Sequence, residues 1–151
     1  YLVTDISPTL LSAAEERFGA AVRLGLLNID ADLIDQGCGL RPGAADAVVA
    51  ANVLHNAADI GRSLRRIRRV LRPGGVLAVV ESTRDSHAVL TSMAFLLSPP
   101  EGARATDEVF LDRQSWRHEM AGAGFAVAFD LPGQHSPLAL SGQHLVLGVA
   151  L

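Results

Sequence analysis

Two short apolar runs joined by an amphipathic stretch constrain this chain more than any other feature. Asp46-Ala-Val-Val-Ala-Ala-Asn-Val-Leu54 and Val76-Leu-Ala-Val-Val80 flank a segment in which Ile60, Leu64, Ile67 and Leu71 recur three and four residues apart. Runs of that length, apolar nearly throughout, suit strands buried on both faces, and the spacing between them suits one stripe of a helix. Asp59 is placed to cap that helix and Pro73-Gly74-Gly75 to stop it. A strand, a helix and a second strand in this order make a parallel pair with a right-handed crossover, so the expected class is α/β.

The alternation extends in both directions. Tyr1 to Asp5 reads as a strand, Ser7-Pro8 as the start of a helix carrying Leu10, Leu11, Ala14 and Phe18 as far as Gly19, and Val22 to Ile29 as a second buried strand. Beyond Glu81, Ser86 to Leu97 reads as a helix, Pro99 to Glu108 as a loop, Gln114 to Ala123 as a last helix, and Phe125 to Leu131 and His144 to Leu151 as closing strands. Residues 1–151 are expected to form one domain. Tyr1 stands where a strand is already under way, so a first βα unit is expected to be missing before it.

With 49% hydrophobic and 19% charged residues the chain can build a core, and a formal net charge of -3 argues against bulk attraction to nucleic acid. The single cysteine, Cys38, forms no internal disulfide, and no apolar run approaches the ~18 residues that cross a bilayer, so a cytoplasmic protein without a membrane segment is expected.

In parallel α/β sheets the ligand lies over the carboxyl ends of the strands. That directs attention to Asp5, Asn28 to Asp30, Asn52 to Asn56 and Glu81. Asp5 can accept hydrogen bonds from both hydroxyls of a nucleoside ribose, although a turn aspartate would look the same. His55 and Glu81 each follow a buried strand and can meet over one cleft. A carboxylate on one imidazole nitrogen fixes the tautomer and raises the basicity of the other. The plainer alternative is a helix-capping histidine and a solvated glutamate.

Other features carry less. Gly37-Cys38-Gly39 precedes a strand instead of opening a helix, so it lacks the N–H groups that cradle a phosphate, and Cys38 has no base beside it in the sequence. Arg62, Arg65, Arg66, Arg69 and Arg72 form a basic stripe, read either as solvated or as a docking face for an acidic carrier protein. His87, His118, His135 and His144 show no metal-ligand spacing, so no metal is expected.

Taken together, Tyr1 to Ser7, Leu27-Asn-Ile-Asp-Ala-Asp32 with Gln36-Gly37, Ala50-Ala-Asn-Val-Leu-His-Asn-Ala57, Leu71-Arg-Pro-Gly-Gly75 and Glu81-Ser-Thr83 resemble the S-adenosylmethionine-dependent methyltransferase domains of non-ribosomal peptide and polyketide synthases. The Ala50 to Ala57 string and Ser92-Met93 to Leu97 look most like the siderophore-synthetase type, and the similarity runs to about Phe125.

The resemblance implies a Rossmann-like class I methyltransferase sheet, mostly parallel with an antiparallel C-terminal strand, here lacking its first strand and Gly-rich loop. It implies that Asp5, with Ile6, binds the ribose of S-adenosylmethionine, that Asn28, Ile29 and Asp30 lie by the adenine, and that backbone at Ala51 and Asn52 borders the methionine part. Relatives often carry Asp where this chain has Asn28, which keeps an acceptor and removes a charge. His55 and Glu81, 26 residues apart (81 − 55), occupy the positions of the catalytic dyad of carbon-methylating relatives. Implied partners are an acyl or peptidyl carrier protein, neighbouring synthase domains and a thioester substrate, with methylation at carbon or nitrogen. Without its central strand, residues 1–151 alone are expected to bind the donor weakly. A nicotinamide-dependent oxidoreductase fragment, using Asp5 on an NAD(P) ribose, and a non-catalytic scaffold are the competing readings.

Overall fold

The structure, a computed structural model, describes residues 1–84, 110–133 and 135–151. Among the described residues, six strands and three α-helices follow the expected alternation: β1 (Leu2–Asp5), α1 (Pro8–Phe18), β2 (Arg23–Leu26), β3 (Ala45–Ala51), α2 (Ile60–Val70), β4 (Leu71–Ser82), α3 (Arg113–Gly122), β5 (Phe125–Leu131) and β6 (Gln143–Ala150). The helix expected at Ser86 to Leu97 and the loop at Pro99 to Glu108 lie outside the described residues.

β1 pairs with β2 in parallel, and β3, β4, β6 and β5 form a second sheet in that order. β3 and β4 are parallel, while β6 runs antiparallel to both β4 and β5. β6 is thus the one reversed strand of that sheet, as the class I methyltransferase pattern implies.

α2 forms because Asp59 accepts the Arg62 N–H at 2.8 Å and Ile60, Leu64, Ile67 and Val70 put one stripe inward. It packs on β4 and on α3, which is capped by Asp112 and buries Trp116 and Met120 against β5 and β6. These helices cover the face of the second sheet that carries Val48, Ala50, Leu77, Val79, Val146 and Ala150, and the core lies there.

Three expectations are corrected. Pro73-Gly74-Gly75 does not end α2: the helix stops at Val70, and the Pro-Gly-Gly is a bulge inside β4, where the register moves from Ala45 opposite Leu71 to Ala47 opposite Val76. Proline at 73 disfavours helical backbone at Arg72, and a Cβ at Gly75 would meet the Arg72 carbonyl oxygen at 2.9 Å. β2, expected as a buried strand from Val22 to Ile29, spans Arg23–Leu26, and Gly25 is its one buried residue. β3 is not covered on both faces either. Ala50 faces the core, but Val49 is 63% exposed, because among the described residues nothing lies over its other face and β4 is its one strand partner.

Candidate active site

Parallel strands bring their carboxyl ends to one edge, and the residues singled out in the sequence fall there. β3 leaves the sheet at Asn52, whose φ of +52° is left-handed, and the chain then closes a 3₁₀ turn over Leu54–Asn56. That turn sets His55 above the end of β4, where Glu81 stands.

His55 Nδ1 lies 2.6 Å from Glu81 Oε2, with His55 4% and Glu81 1% exposed. The other oxygen, Oε1, accepts the N–H groups of Leu54 at 2.7 Å, Val53 at 2.9 Å and, more weakly, His55 at 3.4 Å. The Phe110 ring meets the imidazole edge-on at 5.2 Å between centroids. Neither plain alternative describes these residues: the histidine is buried against a carboxylate, and the glutamate is not solvated. An ionised carboxylate on Nδ1 makes that nitrogen the donor and leaves Nε2 as the one that can accept a proton.

The other candidates lie at or just beyond the carboxyl ends of β1, β2 and β3. Asp5 ends β1, and its Oδ1 accepts the Ser7 N–H at 2.8 Å, while Oδ2 has no hydrogen-bond partner among the described residues. Ile6 beside it is exposed. Asn28 is pinned by Gln36, which accepts the Asn28 N–H at 2.7 Å and donates back to its carbonyl at 2.8 Å. Asn28 Oδ1 accepts the Asp30 N–H at 2.8 Å, so one lone pair of the acceptor expected to meet adenine is already used. This local turn is also why β2 ends at Leu26 and not at Ile29. Ala51 and Asn52 close β3. The free Asp5 oxygen and the exposed amide group of Asn28 fit a nucleoside, a diol on one side and a base edge on the other.

Loops from the two sheets are tied together here. Asp30 Oδ1 accepts the Ala58 N–H at 2.8 Å, and the Ile29 carbonyl accepts Ser63 Oγ at 3.0 Å and Arg66 Nη1 at 3.4 Å. Arg69 pairs with Asp32 and Arg72 with Asp46, each at 2.6 Å. The Ile34 N–H first and Arg69 second hold the Asp32 carboxyl below its ordinary value. Much of the arginine stripe therefore binds this chain's own backbone and carboxylates.

Sequence reasoning missed a second buried group. His144 is the register partner of Glu81 across β4 and β6, and its Nδ1 lies 3.8 Å from Asp130, which Arg113 holds at 2.8 Å. The 26-residue spacing flagged His55 with Glu81; His144 meets Asp130 through a hairpin whose pairing the sequence marks only by its turns.

The methyltransferase domain family model matches residues 1–77. A highly reducing polyketide synthase of Purpureocillium lilacinum is 33% identical over 83% of this chain, and pyochelin synthetase PchF of Pseudomonas aeruginosa is 30% identical over 97%. The chain spans 5% and 8% of those two proteins' length. The CurJ carbon methyltransferase structure is 30% identical with a TM-score of 0.88, over 99% of this chain and 41% of that one. The trans-methyltransferase CalH, solved in complex with SAH, is 26% identical with a TM-score of 0.76, over 100% of this chain and 42% of that one.

Proposed function

The chain belongs to the methyltransferase domain family, and from that premise we propose that it transfers a methyl group from S-adenosylmethionine to a carbon atom of an intermediate tethered as a thioester to a carrier protein. The observation that carries this reading is the 2.6 Å contact between His55 and Glu81 at the strand ends; a carboxylate with an oxygen to spare stands at the end of β1, at Asp5. Relatives named as polyketide and pyochelin synthases, and neighbours named carbon methyltransferases, support the tethered substrate and the carbon acceptor. A lone thiol at Cys38 supports a reducing, cytoplasmic setting.

Asp5, Ile6, Asn28, Ile29, Asp30 and the backbone of Ala51 and Asn52 would hold the donor. Bound there, S-adenosylmethionine supplies an electrophilic methyl group on a positively charged sulfur. Glu81 keeps the Nδ1 proton of His55 and the plane of its ring, leaving the Nε2 lone pair for a proton on the substrate carbon next to a carbonyl. As that proton moved to Nε2, the electron pair of the broken C–H bond would form the bond to the methyl carbon, whose bond to the donor sulfur would break with its electron pair left on the now neutral sulfur. The imidazolium left behind lies against the Glu81 carboxylate. Phe110 closes one side of the imidazole to water. Positioning the two carbons is expected to offset a large part of the barrier, on the order of 7–11 kcal/mol for well-oriented reactants.

Family membership sets aside the nicotinamide reading of Asp5. The scaffold reading is met by experiment: in the full-length protein, His55→Ala should lower transfer of a labelled methyl group by roughly 10²–10⁴-fold, the scale of a lost general base, while donor binding persists. Unchanged transfer would remove the base role, and a wild-type protein that binds the donor without transferring methyl would favour the scaffold.

A further inference from the structure

Glu81 is anchored less by its own strand than by the turn that follows β3, and that turn begins at Asn52. We propose that Asn52 is a positioning residue of the dyad: its left-handed backbone turns the N–H groups of Val53, Leu54 and His55 onto Glu81 Oε1, and so decides which carboxylate oxygen is left to face the imidazole. This deepens the reading of His55 as a base and rests on it.

Among the described residues, Asn52 is the one non-glycine with positive φ. Its own N–H still donates to the Val80 carbonyl at 2.7 Å, the last rung between β3 and β4. The next three N–H groups leave that ladder and converge on one oxygen at 2.9, 2.7 and 3.4 Å. Successive N–H groups gathered by a left-handed residue make a concave anion site, and here the anion is a side chain of the same molecule.

The Asn52 side chain is exposed and makes no hydrogen bond among the described residues. What this residue type contributes is therefore its tolerance of left-handed backbone, which asparagine shares with glycine and which β-branched residues lack. An extended residue at 52 would carry the N–H groups of Val53 and Leu54 on along β4, past Glu81. Oε1 would then lose its donors in a site where the carboxylate is 1% exposed and cannot turn to water. The carboxylate would rotate, and the 2.6 Å contact to Nδ1 would become one of several arrangements.

The test compares Asn52→Val with Asn52→Gly in the full-length protein, by hydrogen exchange of the peptide covering residues 52–56 and by steady-state kinetics. Valine is expected to speed exchange of the Val53 and Leu54 amides and to lower kcat, each by roughly tenfold, since it opposes the left-handed conformation. Glycine, which adopts that conformation and has no side chain to bind anything, should restore most of both losses. Valine that leaves exchange and kcat as in the wild type, or glycine that falls as far as valine, overturns the proposal. Should Asn52→Val fail to fold, Asn52→Ala, which keeps the Cβ and removes only the carboxamide, decides by the same criteria. If the wild type transfers no methyl group, the functional reading fails while the exchange comparison still judges the role of Asn52.

Discussion

In β1 and β2 every residue except Gly25 keeps contact with solvent, whereas β4 from Gly75 onward and β6 from His144 onward alternate buried and half-buried positions. Composition does not account for the contrast, since Arg-Leu-Gly-Leu and Val-Leu-Ala-Val-Val are both strand-like. The surroundings do. β4 is paired on both sides and lies under α2, while among the described residues β1 and β2 have one strand partner each and a single α-helix with no buried residue. An apolar strand reports that it can be covered; pairing and overlying helices decide whether it is. The candidate site straddles the difference, with Asp5 and Asn28 to Asp30 on the loosely held side and His55 with Glu81 on the firmly packed one.

The largest effect expected from this contrast is a difference in mutational cost. Leu64 of α2 is fully buried, so Leu64→Ala should destabilise by about 2–5 kcal/mol in urea unfolding. Leu11 of α1 is only half-buried, and Leu11→Ala should cost less than about 1 kcal/mol. Equal costs would break the comparison.

The alternation of strands and helices was legible because the period of the apolar residues changes cleanly at Ser7 and Asp59, both of which prove to be caps. The contact between His55 and Glu81 was legible too, since both stand at the carboxyl ends of two adjacent parallel strands. Burial was not. Val49 and Ala50 are neighbours of similar character, and only the sheet says that one faces helices and the other solvent. The grip of Val53 and Leu54 on Glu81 was also hidden, because it depends on one backbone torsion at Asn52, and asparagine marks many turns.

A second prediction concerns the ties between the two sides. Ser63 is buried and donates to the Ile29 carbonyl, and it belongs to neither the proposed donor-binding set nor the dyad. Ser63→Ala removes that hydrogen bond, worth about 1 kcal/mol net. It should loosen the segment from Asn28 to Asp30 relative to α2, seen as faster amide exchange there and roughly fivefold weaker donor binding, the same free energy expressed as affinity. Weaker binding with unaltered exchange would mean that the loop is held by other means.

The smallest effect is a dependence on pH confined to the firmly packed side. Burial first, and the Arg113 guanidinium second, push His144 below its ordinary 6.5, while Asp130 pulls it back only in part. A histidine whose folded value is lowered binds fewer protons folded than unfolded between the two values. Stability is therefore full above about pH 6.5 and declines as pH falls toward the folded value. Asp32 and Asp112, also lowered, lose their contributions only below their ordinary 3.8, so the histidine window stands apart. Urea midpoints at about pH 7.5 and about pH 5.5 should differ in the wild type and differ less in His144→Asn, which cannot titrate there. No histidine lies in β1, α1 or β2, so amide exchange in those elements should follow the same course in both proteins across this window. An undiminished pH difference in the variant would move the titrating group elsewhere, and exchange that quickened equally on both sides would show the two sheets opening as one unit.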